Sequence, residues 1–79
     1  MFWQKFDLDQ EVQFVEDDGM FKKLGGGMVF TSKNEPGRIT ELSADGTYYV
    51  LVGEEIVIGV TAKDLKEYSE VQMNKELQT

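Results

Sequence analysis

The sequence predicts an all-β fold: a sheet of about five short antiparallel strands that closes on itself, with one helical turn near its C-terminal end. Three observations carry this expectation. Apolar and polar residues alternate with period two at Phe6, Leu8, Val12 and Phe14 against Asp7, Asp9, Glu11 and Gln13, broken at Gln10. Runs rich in β-branched and aromatic residues then recur, punctuated by Gly, Pro and Asp-Gly. No long helical stripe is present to cover an open sheet, so closure is the way to hide its edges.

Taken in order, the first alternation predicts a strand over residues 9–16, with the opening seven residues readable as strand or as the start of a helix. From Asp17 to Gly27 the chain reads as a long loop, opened by Asp17-Asp18-Gly19 and closed by Gly25-Gly26-Gly27. Met28 to Thr31 reads as a short strand, and the segment from Lys33 to Gly37, with Pro36 and Gly37 adjacent, as a turn. Residues 38–42 and 47–52 form a hairpin through Asp45-Gly46, the dipeptide best suited to a tight reversal. A second hairpin joins Tyr48–Val52 to residues 56–60 through Gly53-Glu54-Glu55, with Ile56, Ile58 and Val60 on one face. Thr61-Ala62-Lys63-Asp64 fits a capping box. A helix from there to Met73 would lack a continuous apolar stripe, so a single turn at residues 62–65 and a strand at 66–71 are expected. Residues 74–79 read as a flexible tail.

Composition limits the possible functions. At 79 residues the chain is a single domain, 1–79, with its core expected over about 8–71. Cysteine is absent, which excludes disulfides and thiolate metal sites. The longest apolar run, Tyr48 to Val52, is far too short for a membrane span, and Met1-Phe2-Trp3-Gln4-Lys5 lacks the basic start of a signal peptide. A cytoplasmic protein with no membrane partner is expected. The net charge of −7 repels nucleic acid and anionic surfaces on average. Its distribution is uneven, because residues 1–21 carry −5, residues 22–38 carry +3 and residues 39–79 carry −5.

The chain has neither His nor Cys, so serine–histidine, cysteine–histidine and histidine–metal chemistries are excluded. Paired carboxylates would need a walled cleft, for which a barrel this small has little material, and no enzymatic activity and no cofactor are expected. Gly25-Gly26-Gly27 lacks the Gly-Lys-Ser/Thr ending and following helix of a phosphate loop and reads as a bend. Asp7-x-Asp9-x-Glu11 could offer oxygen ligands to a divalent cation, but the calcium-loop pattern is missing and a solvated outer face is the expectation. Two sets of residues remain as candidate contacts. Lys22, Lys23, Lys33 and Arg38 could follow a phosphate backbone, and Trp3, Phe21 and Tyr49 could anchor a protein partner. Tyr49 rather than Tyr48 is assigned outward because Tyr48 shares parity with Val50 and Val52.

Pro36-Gly37-Arg38-Ile39, the stretch Glu41 to Val52 around Asp45-Gly46, Glu54 to Val60, and Ala62 to Tyr68 together resemble the SH3-like small barrels. The likeness is to KOW-type and small phage-encoded domains in particular. It spans about residues 8–71 and lies at the level of the fold. A KOW-type likeness implies contact with nucleic acid or a ribosomal partner, and a phage-type likeness implies an accessory factor acting on another protein. With the acidic balance, the function expected first is a non-enzymatic protein-binding module. A nucleic-acid-binding module using residues 22–38 and a structural subunit of a larger assembly are the alternatives.

Overall fold

A computed structural model describes residues 5–68. They form seven antiparallel strands: β1 (Glu11–Phe14), β2 (Gly19–Lys23), β3 (Met28–Thr31), β4 (Pro36–Leu42), β5 (Tyr48–Val52), β6 (Glu55–Val60) and β7 (Leu65–Glu67). A 3-10 turn at Ala62–Asp64 precedes β7. The strands lie in the order β3-β2-β6-β5-β4-β1-β7 and curl into a half-barrel. The all-β class and the single late turn are as the sequence predicts; the strand number is higher. The expected tail at 74–79, and the part of the last expected strand beyond Tyr68, lie outside the described residues.

The alternation before β1 is interrupted by a turn. Gln10 N–H donates to the Asp7 carbonyl (3.2 Å), Asp7 N–H donates to Gln10 Oε1 (2.9 Å), and Asp9 takes φ +64°. The turn resets the parity, so Leu8 is 55% exposed instead of joining Val12 and Phe14 inside. The first strand is accordingly Glu11–Phe14 rather than 9–16, and the core begins at Phe6, ahead of the expected boundary. The backbone N–H groups of Lys5 and Phe6 donate to the Tyr48 hydroxyl (3.2 and 3.3 Å), while the Phe6 ring meets the Tyr48 ring edge-on at 5.7 Å. A buried Tyr with its oxygen satisfied thereby fixes the incoming chain.

The expected loop over 17–27 contains the largest departure. Gly19–Lys23 is a strand, paired to β3 at Met20–Phe30 and Lys22–Met28 and to β6 at Lys22–Ile58. Its sequence hides this, because Met20 and Lys22 share one face and Phe21 and Lys23 the other, leaving no polar alternation to read. Gly25, Gly26 and Gly27, all at positive φ, are the reversal of the β2–β3 hairpin and not the end of a loop.

Beyond it, β4, β5 and β6 form the expected meander. Gly46 N–H donates to the Ser43 carbonyl (3.0 Å) and Ser43 N–H to the Thr47 carbonyl (2.9 Å), closing the turn at Asp45-Gly46. Between β5 and β6, Val52 pairs with Glu55 across Gly53-Glu54. Tyr48 is buried and Tyr49 half-buried on the opposite face, in agreement with parity, and Ile39 and Val50 are fully buried. Two bulges bend this meander, which is how a short sheet acquires barrel curvature. Thr40 is the extra residue of β4, its hydroxyl donating to the Tyr49 carbonyl (3.2 Å). In β6 the pairing moves from Val50–Val57 to Tyr48–Val60, so residues 58 and 59 stand against Tyr49 alone.

The β6 bulge corrects the face assignment. Val57 faces inward opposite Val50, and Gly59 at φ +70° adds a residue to the repeat, so that Val60 joins Val57 inside while Ile56 and Ile58 are half-exposed. Val57→Ala should therefore cost about 2 kcal/mol, from two lost methyl groups and the cavity they leave. Ile58→Ala should cost under about 1 kcal/mol. Urea denaturation of the two variants checks the ranking, and equal losses would place Ile58 in the core.

The 3-10 turn uses the expected box. The Asp64 carboxylate accepts from the Thr61 N–H (3.0 Å) and the Thr61 hydroxyl (2.9 Å), and Val15 N–H donates to the Asp64 carbonyl (3.1 Å), bringing the turn onto the end of β1. Leu65 follows into the core opposite Phe14.

Candidate functional site

The β2–β3 hairpin turns an apolar surface to solvent. Strand alternation places Met20 and Lys22 on its outer face, with Phe30 and Met28 directly across. Phe30 is 69% exposed, Met20 57%, Leu24 51% and Met28 46%. Among the described residues the other large hydrophobic side chain so exposed is Leu8, in the turn before β1. Beside the hairpin, Lys22, Lys23, Gly26, Gly27, Met28 and Ile58 line a shallow hollow of about 370 Å³. Scattered exposed hydrophobics are ordinary, whereas four on one hairpin form a patch.

The same hairpin is an electrostatic exception. Residues 19–31 contain Lys22 and Lys23 and no Asp or Glu, a local +2 on a chain of net −7, so the remaining residues together carry −9. Of the four cations expected to act as one basic rim, the structure groups only Lys22 and Lys23, adjacent on β2 and facing opposite sides. Lys23 Nζ stands 3.4 Å from Glu55 Oε1, and Arg38, on β4, has its guanidinium 3.4 Å from Glu11 Oε1. Strands β6 and β5 separate Arg38 from β2. Lys33 lies in the turn after β3, where its backbone N–H donates to Asp17 Oδ1 (2.9 Å).

The three expected aromatic anchors fare differently. Trp3 lies outside the described residues. Phe21 points inward and is half-buried, its ring centroid 5.2 Å from that of Phe14. Tyr49 is on the outer face, half-buried at the double bulge. Phe30, Met20 and Met28 carry no such signal in the sequence. Met28-Val29-Phe30 is apolar on both faces, so its orientation depends on Thr31, which is buried with its hydroxyl donating to the Gly19 carbonyl (3.5 Å). A Cβ added at Gly19 would stand 2.7 Å from that hydroxyl oxygen, and the glycine is what lets the two strands meet there.

Elsewhere, Asp9, Gln10, Glu11, Glu67 and Tyr68 line an open hollow of about 470 Å³. The space between Phe14, Glu16, Gly19, Phe21, Thr31 and Asp64 is about 20 Å³, on the scale of one water. Among the described residues no group of three acidic side chains is arranged to hold a metal ion, and Asp7, Asp9 and Glu11 are exposed around the turn into β1. The Thr47 hydroxyl (2.7 Å) and backbone N–H (3.0 Å) donate to the exposed Asp45 carboxylate and hold its pKa below the ordinary carboxylate range. These bonds order a turn. No described helix is long and apolar enough to cross a membrane. In comparison with known proteins, no family model, no curated protein and no solved structure matches the chain.

Proposed function

We propose that this chain is a non-enzymatic protein-binding module of SH3-like architecture whose docking surface is the outer face of the β2–β3 hairpin. The observation that carries the reading is the exposure of Phe30, Met20, Leu24 and Met28 on one hairpin. A curled sheet of seven short strands with one late turn is compatible with the SH3-like resemblance. Charge selects the partner: Lys22 on the outer face of a hairpin without acidic residues, on an otherwise acidic molecule, attracts an acidic protein surface at that place and repels it elsewhere. The acidic remainder keeps the free protein soluble despite its patch.

A nucleic-acid-binding role would require Lys22, Lys23, Lys33 and Arg38 to act along one path. Lys23 and Arg38 each sit against a carboxylate, which favours the protein-binding reading.

Met20→Thr combined with Phe30→Thr keeps β-propensity while removing the patch. The double variant should retain wild-type stability within about 1 kcal/mol, because both side chains are exposed. Immobilised wild-type protein should capture a partner that the double variant does not, and the purified partner should shift the amide resonances of residues 19–31. Equal capture by both proteins, with shifts confined to other strands, would remove the hairpin as the docking surface. Retention of single-stranded RNA at low salt, with no protein retained, would favour the nucleic-acid role instead.

A further inference from the structure

Among the described residues the edge of β3 is open in a defined way. Lys23 N–H donates to the Gly27 carbonyl (2.9 Å), which makes Lys23–Gly27 a hydrogen-bonded pair. Antiparallel alternation then makes Phe21–Val29 and Gly19–Thr31 the next such pairs. The N–H and C=O groups of Met28 and Phe30 consequently point away from β2. Leu24 N–H donating to the Ile56 carbonyl (2.8 Å) fits this phase, since it shows the even-numbered residues of β2 directed to the opposite neighbour, β6. Among the described residues no strand pairs with the free side of β3.

Sheet edges in soluble proteins are commonly guarded by a charge, a proline, a bulge or extreme shortness. The strand at the other end of the sheet, β7, has three residues and carries Lys66 and Glu67. Met28-Val29-Phe30-Thr31 has no charge and no proline, and its pairing with β2 is regular throughout. Its two outward-facing amides lie beneath its two exposed apolar side chains, so backbone and side chains offer themselves to the same incoming strand.

Resting on the reading of the hairpin as a docking surface, we infer that β3 receives an extended acidic segment of another protein, which adds to the sheet as an eighth strand beside Met28 and Phe30. Main-chain hydrogen bonds supply the affinity in this mode, and alternate side chains supply the selectivity. Apolar residues of the segment cover Met28 and Phe30, and its carboxylates meet Lys22, whose stem lies between Met28 and Ile58 in neighbouring strands. Charge disfavours a second copy as the occupant. Two-fold pairing of β3 with itself would bring Lys22 toward Lys22 and two molecules of net −7 together.

The probe is a blocked eight-residue peptide of repeated Val-Thr-Glu-Thr, which places Val and Glu in turn on one strand face, added at millimolar concentration to the uniformly nitrogen-15-labelled full chain. In the free protein the Met28 and Phe30 amides should exchange with solvent faster than those of Val29 and Thr31. Saturating peptide should slow exchange at Met28 and Phe30 at least about tenfold, the effect of roughly 1.4 kcal/mol of added protection. A version with Lys in place of each Glu should bind at least about tenfold more weakly. N-methylation of alternate amides should abolish the protection. If the outer-face side chains respond while the two amides stay unprotected, strand addition is wrong and the docking surface stands. If the peptide perturbs nothing in residues 19–31, both readings fail. Protection that grows with protein concentration in the absence of peptide would make a second copy the occupant and overturn the acidic-partner inference.

Discussion

Phe14→Ala is expected to cost about 3–5 kcal/mol, the range for emptying a buried aromatic site. A chain of this size has a total stability near the lower end of about 5–15 kcal/mol, so no more than about 2 kcal/mol would remain and up to about half of the variant should be unfolded. Phe14 is 1% exposed and stands where three parts of the half-barrel meet. It pairs with Leu65 of β7, and its ring lies against Phe21 of β2. Its backbone N–H donates to the Glu35 carbonyl (3.0 Å), while its carbonyl accepts from Asn34 N–H (2.8 Å), fixing the turn before β4. Loss of the ring opens a space that these elements cannot fill without abandoning those bonds. Circular dichroism against temperature and urea measures the effect, and a loss below about 1.5 kcal/mol would mean that the site collapses without penalty.

The second large effect is expected from the smallest addition. Gly37→Ala places a methyl group 2.6 Å from Val50 Cγ1 and 3.2 Å from the Leu51 carbonyl oxygen. Val50 is fully buried between its neighbours, and the carbonyl belongs to the central strand, so neither can withdraw freely. Overpacking of this kind costs about 1–3 kcal/mol, and the rigidity of both obstacles puts Gly37→Ala at the upper end. Gly26→Ala provides the contrast, because nothing lies within 4 Å of its added carbon and the penalty is confined to a positive φ in an exposed turn. Comparable denaturation midpoints for the two variants would show that β4 can move away from β5.

Much of the central meander was legible because each signal had one meaning. Asp45-Gly46 lies between two β-rich runs, Tyr48 shares parity with Val50 and Val52, and Thr61 stands three residues before Asp64. The rest failed where a single residue reset the count. Asp9 in a left-handed conformation puts Leu8 outside, and the bulge at Gly59 puts Val60 on the face of Val57 instead of that of Ile58. Period-two reasoning assumes an unbroken strand, and a bulge adds one residue without a separate mark in the sequence. The hairpin is hidden in the sequence for another reason. Its outer face is apolar where a solvated strand would be polar, so the property that makes it a candidate surface also removed the pattern that announces a strand. The cations were legible as a cluster in sequence, yet their partners Glu55 and Glu11 are 32 and 27 residues away from Lys23 and Arg38.

The two supernumerary residues, Thr40 and the one contributed by Gly59, flank β5 on either side at the level of Tyr49. A ribbon locked this way has only one threading that satisfies both neighbours, since sliding it would force two defects to migrate in concert. Misaligned isomers are thereby starved of compensating bonds during assembly, and the central strand acts as the molecule's own assembly jig.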